Sequence, residues 1–298
     1  MSKSYDKVAT HIKPDWLKIR LPQGEKYAEM AKIVEQHELH TICSSGMCPN
    51  KAECWSRKTA TFMVLGDVCT RGCKFCATKT GVPLSTDPGE PERIADSIRL
   101  MGLRHAVITS VTRDDLPDGG AEHWAAVVRA VRAANPHTTI ELLIPDLHAV
   151  AADIDTIIDA QPDIIGHNIE TIERLTPEVR SRADYRTSLR TIAHIASRGM
   201  VSKSGIMLGM GETDGEVMQT LDDLRAAGCE IVTLGQYLRP TMKHWPVAEY
   251  VKPEKFEHFK EEALARGFGY VASGPLVRSS YLAEQALGWL EARKTKQP

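Results

Sequence analysis

The sequence has no surplus of positive charge: 37 Lys and Arg face 39 Asp and Glu, for a formal net charge of -2. Binding to nucleic acid or to an anionic membrane needs a positive face, so neither partner is expected. No apolar run approaches the roughly twenty residues that a membrane-spanning helix requires. The opening Met-Ser-Lys-Ser-Tyr-Asp-Lys lacks the apolar core of a secretory signal, and its early Asp6 argues against an organellar transit peptide. A soluble cytoplasmic protein is the expectation. Low-complexity tracts, Gly/Ser linkers and repeats longer than a β-α unit are also missing. The chain of 298 residues, 42% hydrophobic and 26% charged, is long enough to bury a sizeable core as one α/β domain with extensions.

An even spread of cysteines, which a disulfide scaffold would show, is lacking too. The seven are Cys43, Cys48, Cys54, Cys69, Cys73, Cys76 and Cys229, so six fall in two triplets and one stands apart. Such clustering points to metal chemistry in a reducing compartment. Cys229 follows a helix-ending glycine and reads as a small buried apolar residue.

From residue 62 the chain alternates short apolar runs with helical periods. The runs lie near Phe62–Leu65, His105–Val111, Thr139–Ile144, Asp163–Ile169, Val201–Met207 and Glu230–Leu234. Between them apolar residues recur at helical spacing, as in Ile94, Ile98 and Met101, or Trp124, Val127, Val128 and Val131. Gly102, Gly199 and Gly228 stand where those helices would end. Six β-α units predict parallel strands with right-handed crossovers: a partial (β/α)6 TIM-like barrel, with an open doubly wound sheet as the second choice. Residues 1–61 form an N-terminal extension with a possible helix from Gln23 to Glu38, 62–250 the barrel, and 251–298 a C-terminal extension. Polar residues gather at the C-terminal strand ends, where such barrels carry their chemistry. His148 and His167 are among them and are expected to face the cavity. Phe256, Phe259 and Leu264 share a later helix, the two Phe reading as core.

The central triplet, Cys69-Thr-Arg-Gly-Cys73-Lys-Phe-Cys76, is spaced C-x3-C-x2-C on the loop leaving the first barrel strand. Three soft thiolates within so few residues can wrap one metal centre. A structural zinc site closes with four ligands, and no Cys or His follows within the next twenty residues. This spacing, with an aromatic residue before the last cysteine, resembles that of the radical S-adenosylmethionine (SAM) superfamily. The resemblance implies a 4Fe–4S cubane on Cys69, Cys73 and Cys76 whose fourth iron chelates SAM, with Phe75 near the adenine.

The upstream triplet, spaced C-x4-C-x5-C, and Arg278-Ser279-Ser280-Tyr281 near the C-terminus narrow the likeness. So do Val-Thr-Arg-Asp-Asp-Leu-Pro-Asp-Gly-Gly-Ala from Val111, His-Asn-Ile-Glu from His167, Met-Leu-Gly-Met-Gly-Glu-Thr from Met207 and Gly-Gln-Tyr-Leu-Arg-Pro-Thr from Gly235. Together they resemble the lipoyl synthase family. That resemblance implies an auxiliary 4Fe–4S cluster on Cys43, Cys48 and Cys54 with Ser280 as its fourth ligand, consumed as the sulfur source. It implies octanoylated lipoyl-carrier domains of 2-oxoacid dehydrogenase acyltransferases or the glycine-cleavage H protein as substrates, and ferredoxin or flavodoxin as electron donor. Asn168 and Glu170, two apart on a strand end, are candidates for the SAM ribose, as in related sulfur-inserting enzymes. Gly119 and Gly120 occupy roughly the region where relatives bind the methionyl amine, although Ala121 stands where those have Glu. Arg113, Glu212 and Arg239 complete the SAM candidates. The two arginines could instead order loops, and Glu212 could be a cap or salt-bridge partner.

Two competing readings remain at this level. One is another sulfur-inserting radical enzyme of the biotin synthase type; the other is a non-catalytic zinc-binding module. The upstream triplet by itself, with a remote His, would suit zinc as well as a cluster.

Overall fold

The computed structural model describes residues 13–19, 25–37, 39–57, 59–180, 182–280 and 283–296. Gln23, Glu38 and Tyr281, named above, lie outside them. Helix α1 (Glu25–Gln36), strand β1 (His40–Thr41) and the short helices α2 (Ile42–Ser45) and α3 (Lys51–Ser56) lead to β2 (Thr61–Val64). A two-stranded ribbon follows, β3 (Val68–Cys69) with β4 (Lys79–Thr80). The chain continues through α4 (Glu90–Met101), β5 (His105–Ser110), α5 (Ala121–Ala134), β6 (Thr139–Leu143), α6 (Ala151–Asp159), β7 (Ile164–Gly166), α7 (Thr176–Val179) and α8 (Tyr185–Ser197). It ends with β8 (Val201–Leu208), α9 (Asp214–Ala226), β9 (Ile231–Gln236), α10 (Pro253–Ala265), β10 (Tyr270–Gly274) and α11 (Leu287–Lys296).

The large sheet has the order β1-β2-β5-β6-β7-β8-β9-β10, antiparallel only between β1 and β2. Strand order follows chain order and never reverses. A doubly wound sheet needs a reversal to place helices on both faces; steady right-handed crossovers put them all on one side and curl the sheet into a barrel wall. The fold is therefore a mixed α/β partial barrel, with β1 and β10 as its two edges.

The helices form where period and caps agree. In α4 the acidic Glu90 and Glu92 occupy the first turn, Ile94 and Ile98 are 1% and 0% exposed, and Gly102 ends the helix at φ 63°. That left-handed conformation suits a residue without Cβ. In α5, Trp124, Val127, Val128 and Val131 are fully buried against the sheet. Phe62, Met63 and Val64 of β2 are buried as well, each contributing on the order of 2 kcal/mol by leaving water. Cys229 is buried in the second core cluster with Phe256 and Phe259, as expected. Leu264 is 47% exposed, and Ala263 takes the inward position of α10 instead. A small residue is what fits where helix and sheet lie close.

The sequence pattern did not reveal β10. It pairs in parallel with β9 from Tyr270 opposite Ile231 to Gly274 opposite Gly235. This seventh parallel strand carries the following segment, Pro275 to Ser280, back to the barrel. A Cβ on Gly235 would overlap the carbonyl oxygen of Val277, so only glycine lets that segment approach β9 so closely.

Candidate functional site

The loop carrying the central triplet is tied down at many points. Val68–Cys69 pairs with Lys79–Thr80, closing the loop at its base. The Lys74 amide donates to Val179 O (2.8 Å), the Trp245 amide to Lys74 O (2.8 Å), and the Thr70 amide to Thr112 O (3.0 Å). His244 Nε2 meets Cys76 O at 3.0 Å, and Arg182 Nη1 donates to Thr70 O at 2.9 Å. Cys69 Sγ accepts from the amides of Arg71 and Thr112, both at 3.4 Å.

Arg71, between the first two cysteines, was not singled out by spacing. Its buried guanidinium makes paired hydrogen bonds to Asp114 (2.8 and 2.8 Å) and to Asp146 (2.6 and 2.8 Å). Those aspartates stand at the ends of β5 and β6, so one side chain bolts the loop to two barrel strands. Burial would raise both carboxyls, and the Arg71 charge instead holds them below the usual carboxylate range. Arg180 is a second buried cation that spacing missed. It donates to Ile169 O at 3.0 Å, and its charge favours the ionised forms of Cys73 and Glu170. Burial nonetheless pushes the Cys73 thiol up to about 11 and raises Cys76.

Residues 167–170 alternate about the barrel wall. Asn168 and Glu170 face the same way, joined by an Asn168 Nδ2 to Glu170 Oε1 hydrogen bond of 3.2 Å. Asn168 Nδ2 also donates to Ser279 Oγ at 2.6 Å, while its buried Oδ1 has no partner among the described residues. His167 points the other way, contrary to the expectation that it faces the cavity. Its Nδ1 lies 3.0 Å from Ile144 O and its Nε2 3.0 Å from Ser188 Oγ on α8. Burial first, then the Arg180 charge, pull its pKa from 6.5 to about 4. The unfolded chain therefore takes up a proton that the native chain refuses. Stability should be complete above about pH 6.5 and fall toward pH 4, by on the order of 3 kcal/mol from this group. In urea melts His167→Gln should flatten that slope; an unchanged slope would rule His167 out as its source. His148 sits at the mouth with its side chain 64% exposed and Nε2 3.1 Å from Asp114 Oδ1.

The remaining candidates are held mainly by the protein itself. Arg113 is buried and donates to Leu65 O, Leu84 O and Asp115. Arg239 donates to His244 O at 2.8 Å and to Met242 O. Glu212 accepts from the amides of Gly209 (2.5 Å) and Met210 (2.9 Å), closing the turn after β8. Gly119 and Gly120, at φ 61° and 91°, lead into α5, and a Cβ on either would press on Leu147 or Leu65 at 2.7 or 2.6 Å. Phe75 packs against the cluster of Ile172, Leu175, Val179, Met210 and Tyr237.

A cavity of about 30 Å3 is lined by Cys43, Cys48, Cys54, Asn50, Thr59, Thr61, His105, Arg278 and Ser280. Residues some 230 positions apart meet here because Asn50 Nδ2 donates to Leu276 O (2.7 Å) and Thr61 Oγ1 to Ser280 Oγ (2.7 Å). Burial, reinforced by the charges of Cys43 and Cys48, pushes the Cys54 thiol up to about 12, and burial likewise raises Cys48. Thiols so placed become thiolates only beside strong positive charge, which iron supplies. Among the described residues no three His, Cys, Asp or Glu side chains crowd close enough to share one ion. Thiolates that each take a different iron of a cubane stand farther apart than that. Three soft thiols with one hydroxyl around a cavity are a donor set that fits a 4Fe–4S cluster. Thr61 opens β2 and the central loop follows Leu65, so the strand between the two loops spans on the order of 13 Å.

A larger cavity of about 730 Å3 lies outside the barrel, between α1, α3 and the loops at 66–68 and 83–87, and no cysteine lines it. Among the described residues no helix is long and apolar enough to cross a membrane.

The family model for the radical SAM superfamily matches residues 63–224. Solved structures of methylornithine synthase (PylB) and of the hydrogenase maturase HydG share the fold, with TM-scores of 0.56 and 0.54 at 12% and 11% identity. The matches cover 78% and 89% of this chain and 80% and 74% of theirs. A lipoyl synthase of Bacteroides fragilis (strain YCH46) is 58% identical over 273 residues, 92% of this chain and 95% of that protein. One from Parabacteroides distasonis is 55% identical over 279 residues, 93% and 99% of the two chains. Such identity over nearly the full length of both partners, on a radical SAM core, means that the chain belongs to the lipoyl synthase family of radical SAM sulfurtransferases.

Proposed function

We propose that this chain inserts two sulfur atoms, at carbons 6 and 8, into an octanoyl group carried on a lysine of a lipoyl-carrier domain. The carrier would be a 2-oxoacid dehydrogenase acyltransferase or the glycine-cleavage H protein, and the electrons would come from ferredoxin or flavodoxin. The observation that carries this reading is the meeting of Cys43, Cys48 and Cys54 with Ser280 in one cavity. A simpler radical enzyme needs only the central triplet.

Unactivated C–H bonds yield to no side-chain base at neutral pH. When bound, SAM on a cluster held by Cys69, Cys73 and Cys76 supplies the hydrogen-abstracting oxidant, and the auxiliary cluster on Cys43, Cys48, Cys54 and Ser280 supplies sulfide. The chain's own work is placement. Arg71 and its two aspartates fix the central loop on the strand ends. Asn168 and Glu170 face the interior together, suited to the ribose hydroxyls of SAM. Phe75, in its apolar cluster, can flank the adenine. Thr61 steadies Ser280, whose hard oxygen is the most exchangeable donor among soft thiolates. Such a donor would suit a cluster that is to give up its sulfide.

Mass spectrometry of an octanoyl-lysine peptide after anaerobic reaction with SAM and a strong reductant tests the reading. The expected product carries two added sulfurs in place of two hydrogens. Ser280→Ala should still cleave SAM reductively yet fail to complete the lipoyl group. Unchanged lipoyl yield from that variant would remove Ser280 from the ligand set.

A further inference from the structure

A buried charged chain crosses the barrel interior directly beside the auxiliary cavity. Lys203 Nζ on β8 donates to Glu141 Oε1 on β6 at 2.5 Å, and Glu141 Oε2 lies 3.2 Å from His105 Nε2 on β5. The three side chains are 5%, 2% and 4% exposed. Burial would raise the Glu141 carboxyl, but Lys203 and then His105 hold it at about 2. A carboxylate only accepts hydrogen bonds, so His105 Nε2 is the donor. In the neutral imidazole this leaves Nδ1 as a lone-pair acceptor.

That Nδ1 is buried and has no partner among the described residues. An unsatisfied buried polar atom costs on the order of 1–3 kcal/mol, and here the ring is anchored at Nε2 by Glu141, itself paired with Lys203. The place it lines is the cavity of Cys43, Cys48, Cys54, Arg278 and Ser280. His105 lies two residues before Val107, the register partner of Thr61, so both side chains project from the same face of adjacent strands. Thr61 already donates to Ser280 Oγ, and among the described residues that hydroxyl has no acceptor of its own.

We propose that His105, anchored by Glu141, is a positioning residue of the auxiliary site, its free Nδ1 accepting from the hydroxyl of Ser280 when that side chain turns away from the iron. The inference rests on Ser280 being a cluster ligand, as proposed above. With Thr61 and His105 as two fixed partners, Ser280 swings between iron and a defined resting place instead of being lost to solvent. The device keeps a labile ligand next to the cluster.

Two near-isosteric substitutions separate this role from simple support of Glu141. His105→Asn keeps a polar atom near Nδ1 and loses the reach to Glu141. His105→Gln keeps an atom near Nε2 and leaves nothing near Nδ1. The holoenzyme, prepared anaerobically with both clusters, is challenged with an iron chelator, and the reduced clusters are examined by electron paramagnetic resonance. Ser280→Ala run in parallel marks the auxiliary phase; if it alters no phase, the ligand assignment fails and the His105 question falls with it. With that phase marked, His105→Gln and His105→Phe should release the auxiliary iron about tenfold faster and shift its resonance, the scale typical of losing an outer-sphere partner. His105→Asn should stay close to the parent. Parent-like behaviour of His105→Gln, or an altered His105→Asn whatever His105→Gln does, would overturn the proposal. Should His105→Phe fail to fold, the Asn and Gln pair still decides.

Discussion

Replacing Cys69, Cys73 and Cys76 together by Ala should abolish reductive cleavage of SAM while the protein keeps about half of an expected eight irons per chain. Replacing Cys43, Cys48 and Cys54 should do the reverse, preserving SAM cleavage and ending lipoyl formation. The expectation follows from the layout. The upstream loop reaches its cavity at the N-terminal end of β2 beside Thr61, and the central loop leaves the opposite end after Leu65. Each loop also has its own anchors: Asn50 to Leu276 for the first, Arg71 to Asp114 and Asp146 for the second. Neither set of thiols supports the other's loop, so losses should not spread. Iron and sulfide analysis, 5′-deoxyadenosine yield and product mass measure the three outcomes. Loss of all iron from either variant would refute two independent centres.

Arg71→Met should be the most damaging change outside the cysteines. It strips the counter-charge from two carboxylates, of which Asp146 is 2% and Asp114 22% exposed at the side chain. Breaking a buried pair by removing one partner costs about 3–5 kcal/mol, because the other charge stays behind. The same change frees the central loop from β5 and β6, so iron at that centre should fall as well. Arg71→Lys should restore little, since one ammonium cannot reproduce a planar fork bonded to two carboxylates. Adding Asp146→Asn to Arg71→Met should recover part of the lost stability by removing one stranded charge. Denaturant melts with iron counts per chain provide the check. A melting midpoint within a degree or two of the parent would show that the network is not a support of the loop.

Asn168 and Glu170 could be paired from sequence because strand periodicity is local: residues two apart share a face whatever surrounds them. The same rule placed His167 on the opposite face. Grouping it with the cavity residues ignored the parity and counted only its position at a strand end. Arg113, Glu212 and Arg239 were polar residues on mouth loops, and sequence could not show that nearby carbonyls, carboxylates and amides already occupy them. Those partners depend on the course of loops, which no period encodes.

The amino-acid order alone determined the six β-α units, the helix-ending glycines and the two thiol triplets, since each is set by residues within a turn or a strand of one another. Tertiary structure decided everything that joins distant segments. It added β10, brought the segment after it over Gly235 to set Ser280 beside three upstream cysteines, and bolted Arg71 across two strands. It also lined up Lys203, Glu141 and His105 from three separate strands beneath that cavity. Short-range sterics and periodicity are written residue by residue, whereas a buried charge chooses its partner only after the sheet has curled around it.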